Sequence, residues 1–307
     1  MTVATKADAI VARFLTDTTI PITQLARDYG TSRSQIRRVL KRAGVYGKAS
    51  RKPFIVPAPK FSKKIASVEV FLCDLHIPHH DTEACSLAYR EMLDLQPDVI
   101  YLGGDVLDFH KISYFSKDPE EADIADEIEQ AKDFFTQLRG DFPNVEIILE
   151  GGNHVGGRWE SYICGTAIKG IEGTDIDSIL GLNEFDIQYV HSLEEKQLRN
   201  TFPKRGKLYH LHGDEARINY GAINVARTMY LRTQDNTVFG HFHKTQEHVE
   251  SDISGDVKGC WSVGCLCDLT PRFFPINKWN HGFAVIYYNE DGTFELQNKK
   301  IVEGMVL

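Results

Sequence analysis

Five short polar blocks, each set directly behind an apolar run, constrain this chain more than any other feature. They are Asp74-Leu75-His76, Gly104-Asp105-Val106-Leu107-Asp108, Gly152-Asn153-His154, His212-Gly213-Asp214 and Gly240-His241-Phe242-His243, spread over 170 residues. The runs before them, such as Val68 to Cys73 and Asp98 to Leu102, read as buried strands. Polar side chains at the carboxyl ends of several strands are how an α/β architecture gathers sequence-distant groups into one crevice. One block alone would say little. Five in this order predict an α/β domain with a working site where its strands end.

The residue types suit two divalent cations and phosphoryl chemistry. Two ions about 3.5–4 Å apart can supply a hydroxide at neutral pH and clamp the phosphoryl oxygens. A carboxylate can bridge such a pair, and imidazole and amide oxygen complete an N/O shell suited to manganese, iron, zinc or nickel. Gly104, Gly152 and Gly240 let the backbone turn tightly beside the ions.

From about Ser67 onward, the order of the blocks resembles the calcineurin-like metallophosphoesterase superfamily, which includes repair nucleases; the resemblance spans nearly all of residues 67–300. It implies a four-layer α-β-β-α sandwich holding two divalent metal ions, manganese foremost. By motif, Asp74, His76 and His243 would hold the first ion, Asp105 would bridge, and Asn153, His212 and His241 would hold the second. His154 matches the general acid, and Asp108 the carboxylate that orients it. The chain departs from the family at Val155, where many relatives carry an acid beside the Asn-His pair, so orientation of His154 falls to Asp108 unless Asp108 only caps a helix. His210 competes with His212 for one ligand position. Gly213 favours His212, although both histidines face the same side of a strand. His79, His80 and His110 are read as surface or supporting groups, and Arg158 stands at a spacing suited to a phosphate clamp. The aromatic stretch from Cys265 to Gly282 is either a stacking wall over the ions or a cover for the sheet.

The net charge of −8 conceals a division. Residues 1–64 carry 14 Lys/Arg against three Asp/Glu, a balance of +11; the other 243 carry 21 against 40, a balance of −19. That asymmetry predicts a basic module that meets a polyanion, joined to an acidic enzyme. Ile22, Leu25 and Ala26, a turn at Tyr29-Gly30, a cap at Thr31 or Ser32, and an apolar stripe of Ile36, Val39 and Leu40 resemble the helix-turn-helix domains of resolvases and phage regulators. A first helix bearing Ala9, Ile10, Ala12, Phe14 and Leu15 would cover the pair. Arg33, Arg37, Arg38, Lys41 and Arg42 lie off the stripe, placed to meet DNA; the plainer alternative is a solvated face that docks a protein. Lys48, Arg51, Lys52, Lys60, Lys63 and Lys64 prolong the basic run, and Pro53, Pro57 and Pro59 mark an extended linker.

The expected organisation is an all-α helix-turn-helix domain over 1–50, a linker over 51–66 and a phosphoesterase domain over 67–307. No apolar run reaches the roughly 18 residues of a membrane span, and Met1 to Asp8 lacks a secretory core, so a cytoplasmic protein is expected. Six cysteines form no disulfide framework, and Cys260, Cys265 and Cys267 lack zinc-site spacing. Two functions compete. The first is a DNA nuclease delivered by residues 1–64. The second is a phosphatase or phosphodiesterase acting on a small nucleotide or a phosphoprotein. A DNA-binding protein with a degenerate catalytic fold is a third, which the intact ligand set disfavours. Self-association into a homo-oligomer stays open.

Overall fold

The computed structural model describes residues 5–45, 64–114, 123–190, 202–272 and 274–307. The chain divides into two compact units, Met1–Ser62 and Lys63–Leu307. The linker expected over 51–66, with its three prolines, falls largely outside the described residues.

Among the described residues of the small unit, three helices share one core. α1 (Lys6–Thr16) starts with a capping box between Thr5 and Asp8, and α2 (Ile22–Asp28) follows a short turn. α3 (Arg33–Arg42) is capped by Ser32, whose hydroxyl accepts from the Gln35 amide at 3.2 Å. Ile10, Phe14, Leu25, Ile36 and Leu40 bury together, joined by Ile20 from the turn before α2, whereas Ala9, Ala12 and Leu15 of the expected first-helix face are exposed. Arg33, Arg37, Arg38, Lys41 and Arg42 are all exposed.

The large unit has four layers. Sheet one runs β12-β11-β10-β1-β2-β3-β4, and sheet two runs β5-β6-β7-β9-β8. β1 (Ile65–Leu72), β2 (Val99–Leu102), β3 (Glu146–Glu150) and β4 (Ile187–Val190) are parallel neighbours. β10 (His281–Asn289) joins β1 antiparallel, and β11 (Phe294–Val302) and β12 (Met305–Val306) extend that edge. In sheet two, β6 (Leu208–Leu211), β7 (Thr237–Phe239) and β9 (Val257–Ser262) are parallel, with β5 (Lys204–Arg205) and β8 (Gln246–Ser251) antiparallel at the edges.

Alternation along the strands builds the layers. Val70, Leu72, Ile100, Leu102, Ile147 and Leu149 face α4 (Thr82–Leu95) and α5 (Ile124–Asp141). Phe71, Val99, Tyr101 and Ile148 point the other way, onto Leu208 and Val238 of sheet two. α6 (Ser161–Cys164) and α7 (Ile176–Leu180) lie between β3 and β4 in sequence. α8 (Val225–Thr233) covers the far side of sheet two through Val225 and Met229. The result is the expected α-β-β-α sandwich, and it explains why β2 is buried along its whole length.

The sequence from about Ile218 to Leu231 reads as a helix packed on a sheet face, but the helix begins only at Val225. Asn219 turns the chain by accepting the Gly221 amide at 2.8 Å, and Asn224 supplies the cap by accepting from Arg227 at 2.9 Å. The stretch from Glu120 to Leu138 likewise reads as a sheet-packing helix; it is observed from Ile124, capped by Asp123, to Asp141, and residues 115–122 lie outside the described residues. Among the described residues no helix is long and apolar enough to cross a membrane.

Candidate metal centre

All five polar blocks leave the carboxyl ends of parallel strands: β1, β2 and β3 in sheet one, β6 and β7 in sheet two. The ladder continues past the strand ends, with the Asp74 amide donating to Gly104 O at 3.1 Å and the His76 amide to Asp105 O at 2.9 Å. Asp74, His76, Asp105, His241 and His243 all have φ between 50° and 66°. Such left-handed backbone costs a residue with a side chain about 1 kcal/mol or more and is held only where the surroundings over-determine it. A Cβ at Gly152 would strike the Asp105 carboxylate, and one at Gly104 the His212 ring.

Asp74 and Asp105 each have one carboxylate oxygen tied to a backbone amide and one turned toward imidazoles. Asp74 Oδ2 accepts from the His241 amide at 2.9 Å, while Oδ1 lies 3.2 Å from His243 Nε2 and 3.8 Å from His76 Nε2. Asp105 Oδ1 accepts from the His154 amide at 2.8 Å, while Oδ2 lies 3.1 Å from His212 Nε2. Asn153 Oδ1 is 3.0 Å from the same His212 nitrogen.

His76 groups with Asp108 and His154, and also with His243 and Cys267. Two further donor clusters meet at one residue: Asp74, His76 and Asp105 form one, with His243 beside Asp74, and Asp105, His212 and His241 form the other. Asp105 belongs to both, which is the position of a bridge. His76 Nε2 and His243 Nε2 face each other at 3.3 Å. Around a cation with bonds of about 2.0–2.1 Å, neighbouring donors lie about 3.0–3.4 Å apart, so this crowding fits a metal shell. The His/Asp clusters fit divalent metal binding.

Electrostatics support the same conclusion. Burial alone would raise the Asp74 and Asp105 carboxyls, but His243 beside Asp74, and His154 and His212 beside Asp105, hold them well below the usual carboxylate range. Burial would lower His76 and His243, yet hydrogen bonds to Asp108 and Asp74 lift His76 to about 9, and the Asp74 charge lifts His243 to about 10. His212 is raised likewise, against burial, by Asp105. His241 is pushed down to about 4, first by burial and then by the charge of His212. Protons thus occupy the acidic clusters where cations would compete for the same donors.

His154 is buried beside this centre, its pKa lowered chiefly by that burial. Its Nδ1 lies 3.1 Å from Asp108 Oδ1, within ion-pair distance though outside hydrogen-bond geometry. Asp108 Oδ1 also lies 3.0 Å from His76 Nδ1, so one carboxylate stands against two rings. It caps no helix: the 3-10 turn at His110–Ile112 follows Phe109 without a side-chain cap. Val155 is fully buried in the helix-side core. Arg158 points at Asp108, donating to its backbone oxygen at 2.6 Å and lying 3.3 Å from Oδ2. His210 turns away from the donors into the inter-sheet layer, 2.6 Å from Glu69 Oε1, while Arg205 Nε lies 2.9 Å from the other oxygen, Oε2. His79 and His110 line the cavity over the centre.

Two supporting groups escaped sequence reasoning. Glu150, at the end of β3, accepts the His212 amide at 3.0 Å and so ties the two sheets together beside the donors. Its signal was a lone acid closing the apolar run Ile147-Ile148-Leu149. Cys267 stands 3.7 Å from His243 Nδ1; the sequence offered it only within a Cys-x-Cys pair that lacks zinc-site spacing, so its place beside this histidine was missed. All six cysteines are free.

No protein-family profile and no curated protein matches the chain. Among solved structures, it is similar to vacuolar protein sorting 29 of Cryptosporidium parvum, at 13% identity over 80% of this chain and 96% of that one, with a TM-score of 0.42. A dimetal phosphatase from Danio rerio aligns at 13% identity over 78% and 98%, with a TM-score of 0.41. The nuclease MPE of Pseudomonas putida aligns at 13% over 75% and 87%, with a TM-score of 0.28.

Proposed function

We propose that this protein is a two-metal-dependent phosphoesterase, and specifically a DNA phosphodiesterase brought to its substrate by residues 1–64. The observation that carries the catalytic part is Asp105, buried between two donor clusters with His154 alongside. Manganese is the ion proposed, with iron, zinc or nickel as alternatives that the same N/O donors accept. Bound cations would supply Lewis acidity to the phosphoryl group and its attacking water. Asp74, His76 and His243 would hold one, Asn153, His212 and His241 the other, and Asp105 both. His154 Nε2 would deliver a proton to the leaving alkoxide, while Asp108 fixes the ring from its Nδ1 side. Arg158 steadies Asp108, and through a shift of its guanidinium would also reach a phosphate.

DNA is favoured by the exposed cationic face of α3 and the +11 balance of residues 1–64. The −19 balance of the remainder favours the second reading, a small phosphoester, because an acidic surface repels a long duplex. A manganese-supplemented assay separates the two. DNA, a chromogenic phosphodiester and a phosphomonoester are offered to wild type, Asp105→Asn, His154→Ala and a chain lacking residues 1–64. The nuclease reading expects DNA cleavage that is lost selectively on truncation. Hydrolysis of small esters with no cleavage of any DNA would sink it.

A further inference from the structure

The cavity over the metal centre has one wall that the hydrolytic chemistry does not use. Its floor is the donor set, with His154 and Asp108; its far side is Tyr220, Phe274 and Trp279, with Arg272 among the lining residues. The rings pack directly on the candidate ligands: Trp279 lies 4.2 Å from His243, and Tyr220 5.6 Å from His241, both edge-on. Phe274 completes the row, 5.9 Å from Trp279 and 6.2 Å from Tyr220, with 38% of its surface exposed.

The wall is built rather than draped. The Asn280 amide donates to His243 O at 2.9 Å, the Cys265 amide to Asn280 O at 3.0 Å, and the Asp268 amide to His79 O at 2.8 Å. Asn277 spans its own loop, donating to Leu269 O at 2.8 Å and Phe274 O at 2.9 Å. A plain sheet cover would turn its rings inward, yet Phe274 keeps an open face toward a cavity of about 560 Å³. That volume belongs to the range of small-ligand pockets and is of a size to take one nucleotide. Aromatic faces bind unstacked bases regardless of sequence, and an arginine at the rim suits the backbone.

Resting on the reading that the centre cleaves DNA, we infer that it cuts at an unpaired nucleotide whose base stacks on Phe274 while its phosphodiester lies over the donors. Duplex is therefore not the substrate in the cleft; a single strand, a frayed end or a flap is. This also relieves the charge conflict, because one nucleotide entering an aromatic pocket presents far less charge to the acidic unit than a duplex laid across it.

The test uses the full-length protein with manganese and four substrates: a single-stranded oligonucleotide, its blunt duplex, the same strand with one abasic position, and bis(p-nitrophenyl) phosphate. Wild type should cut the single strand faster than the duplex and skip the abasic position. Phe274→Ala should lower single-strand kcat/KM by about 5- to 100-fold, the usual weight of one stacked base, and Phe274→Tyr should restore it. The abasic position and Phe274→Ala should not add, since both remove the same contact. Equal cleavage of duplex and single strand, or undiminished cleavage at the abasic position, would overturn the inference and leave the nuclease reading intact. Hydrolysis of the small diester with no cleavage of either DNA would overturn both. A silent enzyme on every substrate would remove the phosphoesterase reading itself.

Discussion

The two halves of the candidate centre reach the same task by different means. Around Asp74, His76 and His243, orientation comes from side chains: Asp108 stands behind His76, and Cys267 behind His243. Around Asp105, Asn153, His212 and His241 the ring support comes from the main chain, with His212 Nδ1 on Gly103 O at 3.0 Å, while the Glu150 carboxylate holds the His212 amide. The charges follow. His76 and His243 are raised to about 9 and 10, and Asp105 raises His212 as well, whereas His241 falls to about 4. The first half is tuned by neighbouring carboxylates throughout, so changes of charge disturb it. The second is tuned by a carboxylate at His212 and chiefly by burial at His241, so changes of shape disturb it too.

Replacing the shared residue should erase the distinction. Asp105→Asn is expected to drive activity below detection and release both ions, read by elemental analysis of the purified protein. Retention of one ion would show that the halves are independent. His154→Ala should cut kcat by about 10²–10⁴-fold with metal content unchanged, and should cost least on p-nitrophenyl esters, whose leaving group needs no proton. A loss equal on both ester types would remove the general-acid role.

Smaller effects sharpen the contrast. Glu150→Ala should weaken only the main-chain-supported half, by about 10- to 100-fold in manganese affinity, seen as a split of two titration steps in calorimetry. Cys267→Ala should touch only the other half, by less than about tenfold, because a thiol is a weak partner. Smallest is a pH effect on stability from Glu127. This buried acid accepts the Phe109 amide at 2.6 Å beside Asp108, and burial raises its carboxyl to about 7. Between its unfolded value and 7 the folded state binds the extra proton, so its contribution declines as pH rises through that window. Glu127→Gln keeps the acceptor and should flatten the slope of urea-melting stability between pH 5 and 8. An unchanged slope would contradict the assignment.

The donor residues were legible because metal chemistry restricts residue identity, and each sat behind a strand with an apolar signal of its own. The supporting residues were not, because their partners are remote. Glu150 meets His212 across 62 positions, and His210 meets Glu69 across 141. A lone histidine two residues from a donor cannot reveal that its ring is paired in another layer. Val155 did convey that an acid was missing, and the structure places Asp108 against His154 instead. Spacing suggested a phosphate clamp at Arg158, but spacing could not show the bond to Asp108. The left-handed backbone at five donors left no trace either, since nothing in the letters Asp or His asks for positive φ.

Each half of the centre draws on both sheets: Asp74 and His76 face His243, and Asp105 and Asn153 face His212 and His241. The gap between them is therefore gauged by the slab of Phe71, Tyr101, Ile148, Leu208 and Val238, where Phe71 stacks on Tyr101 at 5.5 Å. Oily side chains work here as a caliper. Thinning that slab by a few methylene groups would alter how a cation is gripped at the far end of the strands, with every donor atom still in place.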